Sequence, residues 1–202
     1  MGKRVYISAD YSANDGDRDV VEELHAWGRD SLHKVDYVDT AEVVSGSVSD
    51  DPDCRACDLK REFNRQINAS SAVIFIVGDK TACRIAGSSC SRMSDGAFCS
   101  CTPYKQNAGG TSTCKVTSVF TPGPDDDYGP INSCSYLRHE YEQSRKKKKT
   151  IIVVYNSLYK HPSWLPSYMD GCEPIAEPFW TKNARGERVG NYSMIKRALG
   201  YE

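Results

Sequence analysis

The alternation of strand and helix patterns along 202 residues predicts an α/β domain: a parallel sheet with helices on both faces. Three observations carry this. Ala72-Val73-Ile74-Phe75-Ile76-Val77 is a continuous apolar run closed by Gly78-Asp79, as a central parallel strand buried on both faces requires. Val20, Val21, Leu24 and Trp27, and later Leu59, Phe63 and Ile67, recur at helical spacing. Finally, a helical pattern over Ser135 to Glu142 runs through a basic stretch into Thr150-Ile151-Ile152-Val153-Val154-Tyr155.

Taken in order, Lys3 to Ser8 is β-rich and alternating, and reads as the first strand. Asp15 is placed to cap the helix that carries Val20 to Trp27. Val35 to Val38 is a short second strand followed by Asp39-Thr40. Residues 45–53 are a Ser/Gly/Asp loop in which Asp51-Pro52 opens the next helix. From Thr81 to about Ser133 no periodicity is sustained, so residues 81–133 read as a Cys/Gly/Ser-rich insertion within a single domain spanning 1–202. Pro178-Phe179-Trp180 is expected as a short last strand, and Tyr192 to Leu199 as a closing helix.

A formal charge of −1 gives no electrostatic basis for binding nucleic acid or an anionic membrane, and no apolar run reaches the length of a membrane span. The start, Met1-Gly2-Lys3-Arg4-Val5-Tyr6-Ile7-Ser8, is basic residues and a strand rather than a secretory leader, so a cytoplasmic location is expected. Of nine cysteines, six (Cys83, Cys90, Cys99, Cys101, Cys114, Cys134) fall in or beside the aperiodic stretch. Cys54-Arg55-Ala56-Cys57 has zinc-pair spacing without a second such pair, and Cys99-Ser100-Cys101 is too tight for one. Reduced thiols, no metal site and no catalytic thiol are therefore expected.

In the helix before the Ile-rich strand, Leu137, Glu140, Tyr141 and Ser144 share one face. Leu137 packs on the sheet, so Glu140 is expected at the edge of that face with its carboxylate along the protein surface. A carboxylate beside a core face has a partner or a job, which makes Glu140 the first candidate for chemistry. His139 is expected at solvent or an interface, and Lys146 to Lys149 in a solvated turn. Ligands of parallel sheets sit at the C-terminal ends of strands. Those ends carry Ser8-Ala9-Asp10-Tyr11, Asp39-Thr40 and Gly78-Asp79-Lys80.

The Lys3–Ser8 strand, the Ala72–Gly78 strand and the Tyr136-Leu137-Arg138-His139-Glu140 helix before an Ile-rich strand together resemble the TIR-like family. The similarity is to its bacterial group that includes the Thoeris anti-phage NAD-processing protein. It covers residues 3–80 and 134–156, the closing helix loosely, and the insertion not at all. It implies a flavodoxin-like sheet of five mainly parallel strands. It also implies an enzyme that takes NAD+ as substrate, needs no cofactor, and cleaves the nicotinamide–ribose bond as a glycohydrolase or cyclase in anti-phage defence. The family's catalytic glutamate matches Glu140. Ser8, Ala9, Asp10, Tyr11 and Asp79 then become the substrate-binding positions. The resemblance further implies self-association through the 45–53 loop and a downstream effector that senses the nucleotide product. Departing nicotinamide already carries the positive charge, so one carboxylate facing the ribosyl cation suffices where a glycosidase uses two. The sequence departs from the family where Ala9, rather than an aromatic residue, follows Ser8.

Two other functional classes stay open. A TIR-like domain can act as a non-catalytic interaction module. A receiver-like phosphoacceptor would use Asp79 at the end of its strand, with Asp10 as a magnesium ligand, although only one acid follows Ser8-Ala9.

Overall fold

The computed structural model describes residues 2–10, 17–29, 34–39, 52–83, 105–106, 112–113 and 135–201. Side chains of 52–58, 60, 61 and the two dipeptides are outside that description. In chain order the elements are β1 (Lys3–Ser8), α1 (Arg18–Arg29), β2 (Val35–Val38), α2 (Pro52–Ala69), β3 (Ala72–Val77), β4 (Lys105–Gln106), β5 (Ser112–Thr113), α3 (Tyr136–Lys146), β6 (Thr150–Tyr155), β7 (Glu177–Pro178), β8 (Trp180–Lys182), β9 (Arg188–Gly190) and α4 (Tyr192–Ala198). The chain divides into two compact units, one of Met1–Ala41, Gln66–Cys83 and Tyr141–Glu202, the other of Glu42–Arg65 and Arg84–Glu140.

The first unit holds a five-stranded sheet in the order β2-β1-β3-β6-β7, every neighbouring pair parallel. This is the flavodoxin-like order, with its switch point between β1 and β3. Alternation along the strands divides the core. Val5, Ile7, Ile74, Ile76, Ile152 and Val154 join Val20, Val21, Leu24 and Trp27 of α1 and Ile195 of α4 on one face. On the other, Phe75 meets Tyr141 of α3 edge-on at 5.5 Å, and the Tyr141 hydroxyl lies 3.1 Å from the sulfur of buried Cys172. Helices therefore cover both faces.

Three local features lock the frame. Trp27 stacks on Phe179 at 5.5 Å, meets Tyr192 edge-on at 5.1 Å and donates its Nε1–H to Glu23. A Cβ on Gly190 would stand 2.5 Å from the Trp27 ring, so the hairpin can close over the indole only without a side chain there. Lys149 donates to the carbonyls of Asn68 (2.8 Å) and Ser70 (2.6 Å), satisfying groups that the end of α2 leaves open.

Most strands fall where the sequence placed them, and α2 begins at Pro52, where proline's missing N–H costs nothing. Four expectations are corrected. The last sheet strand is Glu177–Pro178, while Trp180 leaves the sheet to pair with Gly190 in a separate β8–β9 hairpin. Lys149 is drawn onto backbone carbonyls rather than into solvent, and burial lowers its pKa. His139 is buried, its Nε2 2.9 Å from Asn64 Oδ1. Glu140 is only 3% exposed instead of lying along the surface. For His139 the cause is α2, which flanks α3. Phe63 meets Tyr136 edge-on, Asn64 holds His139, and Asn68 accepts from Gln143 (3.2 Å), so the buried stripe of α3 is wider than one helical face.

The Asp15 cap, the 45–53 loop up to residue 51, Tyr11, and most of residues 81–133 with their cysteines lie outside the described residues. Among the described residues, Cys83 and Cys172 are free thiols, and no helix is long and apolar enough to cross a membrane.

Candidate functional site at the strand ends

In this fold the strand ends on either side of the switch point should carry the polar chemistry. In the first unit they carry a polar network that runs from the buried Asp17 out to the exposed Arg188. Asp17 immediately precedes α1, and its backbone N–H donates to the carbonyl of Asp10 (2.9 Å), tying the start of α1 to the end of β1. Its carboxylate faces the ends of β3 and β6. Oδ1 accepts from the Asn156 amide at 3.0 Å, and a Cβ on Gly78 would stand 2.9 Å from that oxygen. Glycine after β3 is therefore what admits the carboxylate.

Asn156 follows β6 directly, and its backbone N–H donates to Val77. Its amide nitrogen also donates to Asp19 Oδ1 (3.1 Å), while its Oδ1 accepts from Trp180 Nε1 (2.7 Å). Arg188 donates to Asp19 Oδ2 at 2.8 Å and lies 3.8 Å over the Trp180 ring. One asparagine thus joins the ends of β1, β3 and β6, α1 and the β8–β9 hairpin.

Asp17 is 3% exposed, and burial pushes its pKa up from 3.8 to about 6. The Asn156 hydrogen bond and the Asp10 backbone contact oppose that rise, and the charges of Asp10 and Asp19 add to it. The network therefore holds a carboxyl that titrates near neutrality, where it can take up or release a proton.

The positions expected from the sequence are distributed differently. Ser8 (1% exposed) and Ala9 (7%) are buried, and Asp10 is partly exposed. Asp79 is exposed in the turn between β3 and the short helix Thr81–Cys83. Asp39 is buried and bound to His25, Nε2 to Oδ2, at 2.6 Å. All of these belong to the first unit, while Glu140 belongs to the second. No group of three or more His, Cys, Asp or Glu able to hold a metal occurs among the described residues. Sequence reasoning missed Asp17, Asn156, Trp180 and Arg188. The local signal was an asparagine directly after the Ile-rich strand and an Asp-Arg-Asp triplet opening a helix.

No protein-family model matches this chain, and no curated protein does. Among solved structures it is similar to one titled "Crystal Structure of a prokaryotic SEFIR domain", at 14% identity over 98% of this chain and 94% of that one, with a TM-score of 0.44. A likeness of that strength assigns no residue a role.

Proposed function

We propose that this chain is a TIR-like signalling domain that cleaves the nicotinamide–ribose bond of NAD+, with Glu140 as the catalytic residue. The observation that carries the reading is the burial of Glu140, a carboxylate 3% exposed on the helix leading into β6. A carboxylate withdrawn from water acts on a developing cation far more strongly than a solvated one. In the reaction the C1′–N bond breaks, its electron pair neutralises the pyridinium of the leaving nicotinamide, and positive charge passes to C1′ and the ring oxygen of the ribose. Glu140 stabilises that charge. Water adds at C1′ and gives up a proton, yielding ADP-ribose; an internal nucleophile in its place gives a cyclic product. Anti-phage signalling of the Thoeris type, self-association through the 45–53 loop and an effector that reads the product are the fuller form of this reading.

A second reading is a non-catalytic interaction module. It is favoured by the Asp17–Asn156–Trp180 network, which occupies the ends of β1, β3 and β6 with the chain's own side chains. Nicotinamide release from NAD+ by wild type and Glu140→Gln separates the two. The enzyme reading expects turnover by the wild type and a loss of roughly 10²-fold or more in the variant, with little change in substrate binding. Equal rates remove Glu140 from the mechanism. Absence of turnover from concentrated, assembled protein favours the module.

A further inference from the structure

A concavity of about 550 Å³ opens away from the β1, β3 and β6 ends, between the C-terminal half of α1 and the start of β2. That volume lies within the range of small-molecule sites, which is about 300–1,000 Å³. Tyr37, which is 6% exposed, and Tyr201 supply its aromatic wall, and the Tyr201 hydroxyl donates to the Lys34 carbonyl at 3.5 Å.

The charges around it are unequal. Arg29 and Lys34 line the concavity, are exposed, and make no side-chain hydrogen bond or ion pair among the described residues. His25 also lines it but is committed to Asp39. Asp36, the acid in the lining among the described residues, stands 3.7 Å from Arg4 on the neighbouring strand. Behind the Tyr201 ring, Lys3 and Lys196 sit 5.0 and 4.5 Å from its centroid. The end of α1 contributes a partial charge of about −0.5, less than the two open cations together. Lys34 is held at φ 51°, a left-handed conformation that a lysine rarely adopts, fixing where its side chain departs from the chain.

We propose that this concavity binds a small organic phosphate, with the phosphate taken by Arg29 and Lys34 and the organic part laid against Tyr37 and Tyr201. The planar guanidinium offers paired donors to phosphate oxygens, and lysine adds a point charge. The site is larger than inorganic phosphate fills, so the organic part contributes to binding. None of these residues takes part in the Glu140 chemistry, and the inference stands apart from it.

The test is calorimetric titration of the full chain with AMP, adenosine and inorganic phosphate, alongside NMR of the tyrosine ring signals. AMP is expected to bind saturably, at least tenfold tighter than either of the other two, and to shift the Tyr37 and Tyr201 resonances. Arg29→Gln and Lys34→Asn should each weaken AMP at least fivefold. Asparagine tolerates the left-handed backbone, so the second variant removes charge without adding strain. Lys182→Ala, on the exposed hairpin, should leave binding unchanged. No saturable AMP binding, phosphate binding as tight as AMP, or an affinity indifferent to both substitutions would overturn the proposal.

Discussion

Asn156 bridges two carboxylates at once: its amide nitrogen lies 3.0 Å from Asp17 Oδ1 and 3.1 Å from Asp19 Oδ1, so the residue that follows β6 also fixes the start of α1. The position calls for a donor, because above about pH 6 an acid there would meet both carboxylates without a proton to share.

Asn156→Asp puts this to the test. The substitution is nearly isosteric and keeps an acceptor for Trp180, but it replaces the shared donor with a third negative charge. A loss of about 1–3 kcal/mol in urea unfolding at pH 7.5 is expected, as for lost hydrogen bonds at a part-buried site, with the Arg188 guanidinium 3.4 Å from Oδ1 offsetting part of the new charge. Adding Asp17→Asn should recover part of it, and failure to recover any would separate the two residues energetically.

Asp17 sets a pH dependence of definite sign. Its pKa in the folded protein, about 6, exceeds the 3.8 of the free side chain. The folded state therefore holds the proton more tightly. Its contribution to stability is complete below pH 3.8 and is lost as pH rises through about 6. The difference corresponds to about 3 kcal/mol. Asp17→Asn keeps the acceptor for Asn156 and removes the charge, so it should stabilise the protein at pH 7.5 and flatten the stability curve between pH 4 and 6. Unfolding curves of both proteins across that range check this; an unchanged slope would remove Asp17 as its source.

The Tyr155 hydroxyl is buried and has no hydrogen-bond partner among the described residues, and burial raises its pKa. Leaving such a group unsatisfied costs about 1–3 kcal/mol. Tyr155→Phe should therefore be neutral or stabilise by about 1 kcal/mol in chemical unfolding. A clear destabilisation would mean that the hydroxyl has a partner.

Gly190→Ala should cost about 1–3 kcal/mol, because the new methyl falls within 2.5 Å of the Trp27 ring. The indole would move against Phe179 and Tyr192, so near-ultraviolet circular dichroism should change together with the melting temperature. Unchanged aromatic signals would argue against that contact.

Much of the sheet was readable because its determinants are local. An unbroken apolar run such as Ala72 to Val77 can satisfy itself only with cover on both faces. The stripe of Leu137, Tyr141 and Ser144 likewise identifies the side of α3 that packs inward. What escaped was decided by neighbours distant in sequence. His139 and Glu140 looked peripheral on a helix considered alone, but Asn64 is 75 residues from His139, and no periodicity announces a second flank. The Asp17–Asn156 bridge spans 139 residues. Trp180 falls in the expected last strand, and nothing local in Pro178-Phe179-Trp180 distinguishes sheet pairing from the hairpin with Gly190.

The sheet is bordered by β2, four residues long, and by β7, only two, one of them Pro178, which has no N–H to offer. Taken by themselves, these two border strands offer only short runs of backbone donors and acceptors. Main-chain pairing along either of them is confined to a few residues, so recognition at these two borders leans on side chains, and its specificity can be rewritten by point substitutions that leave the backbone frame untouched.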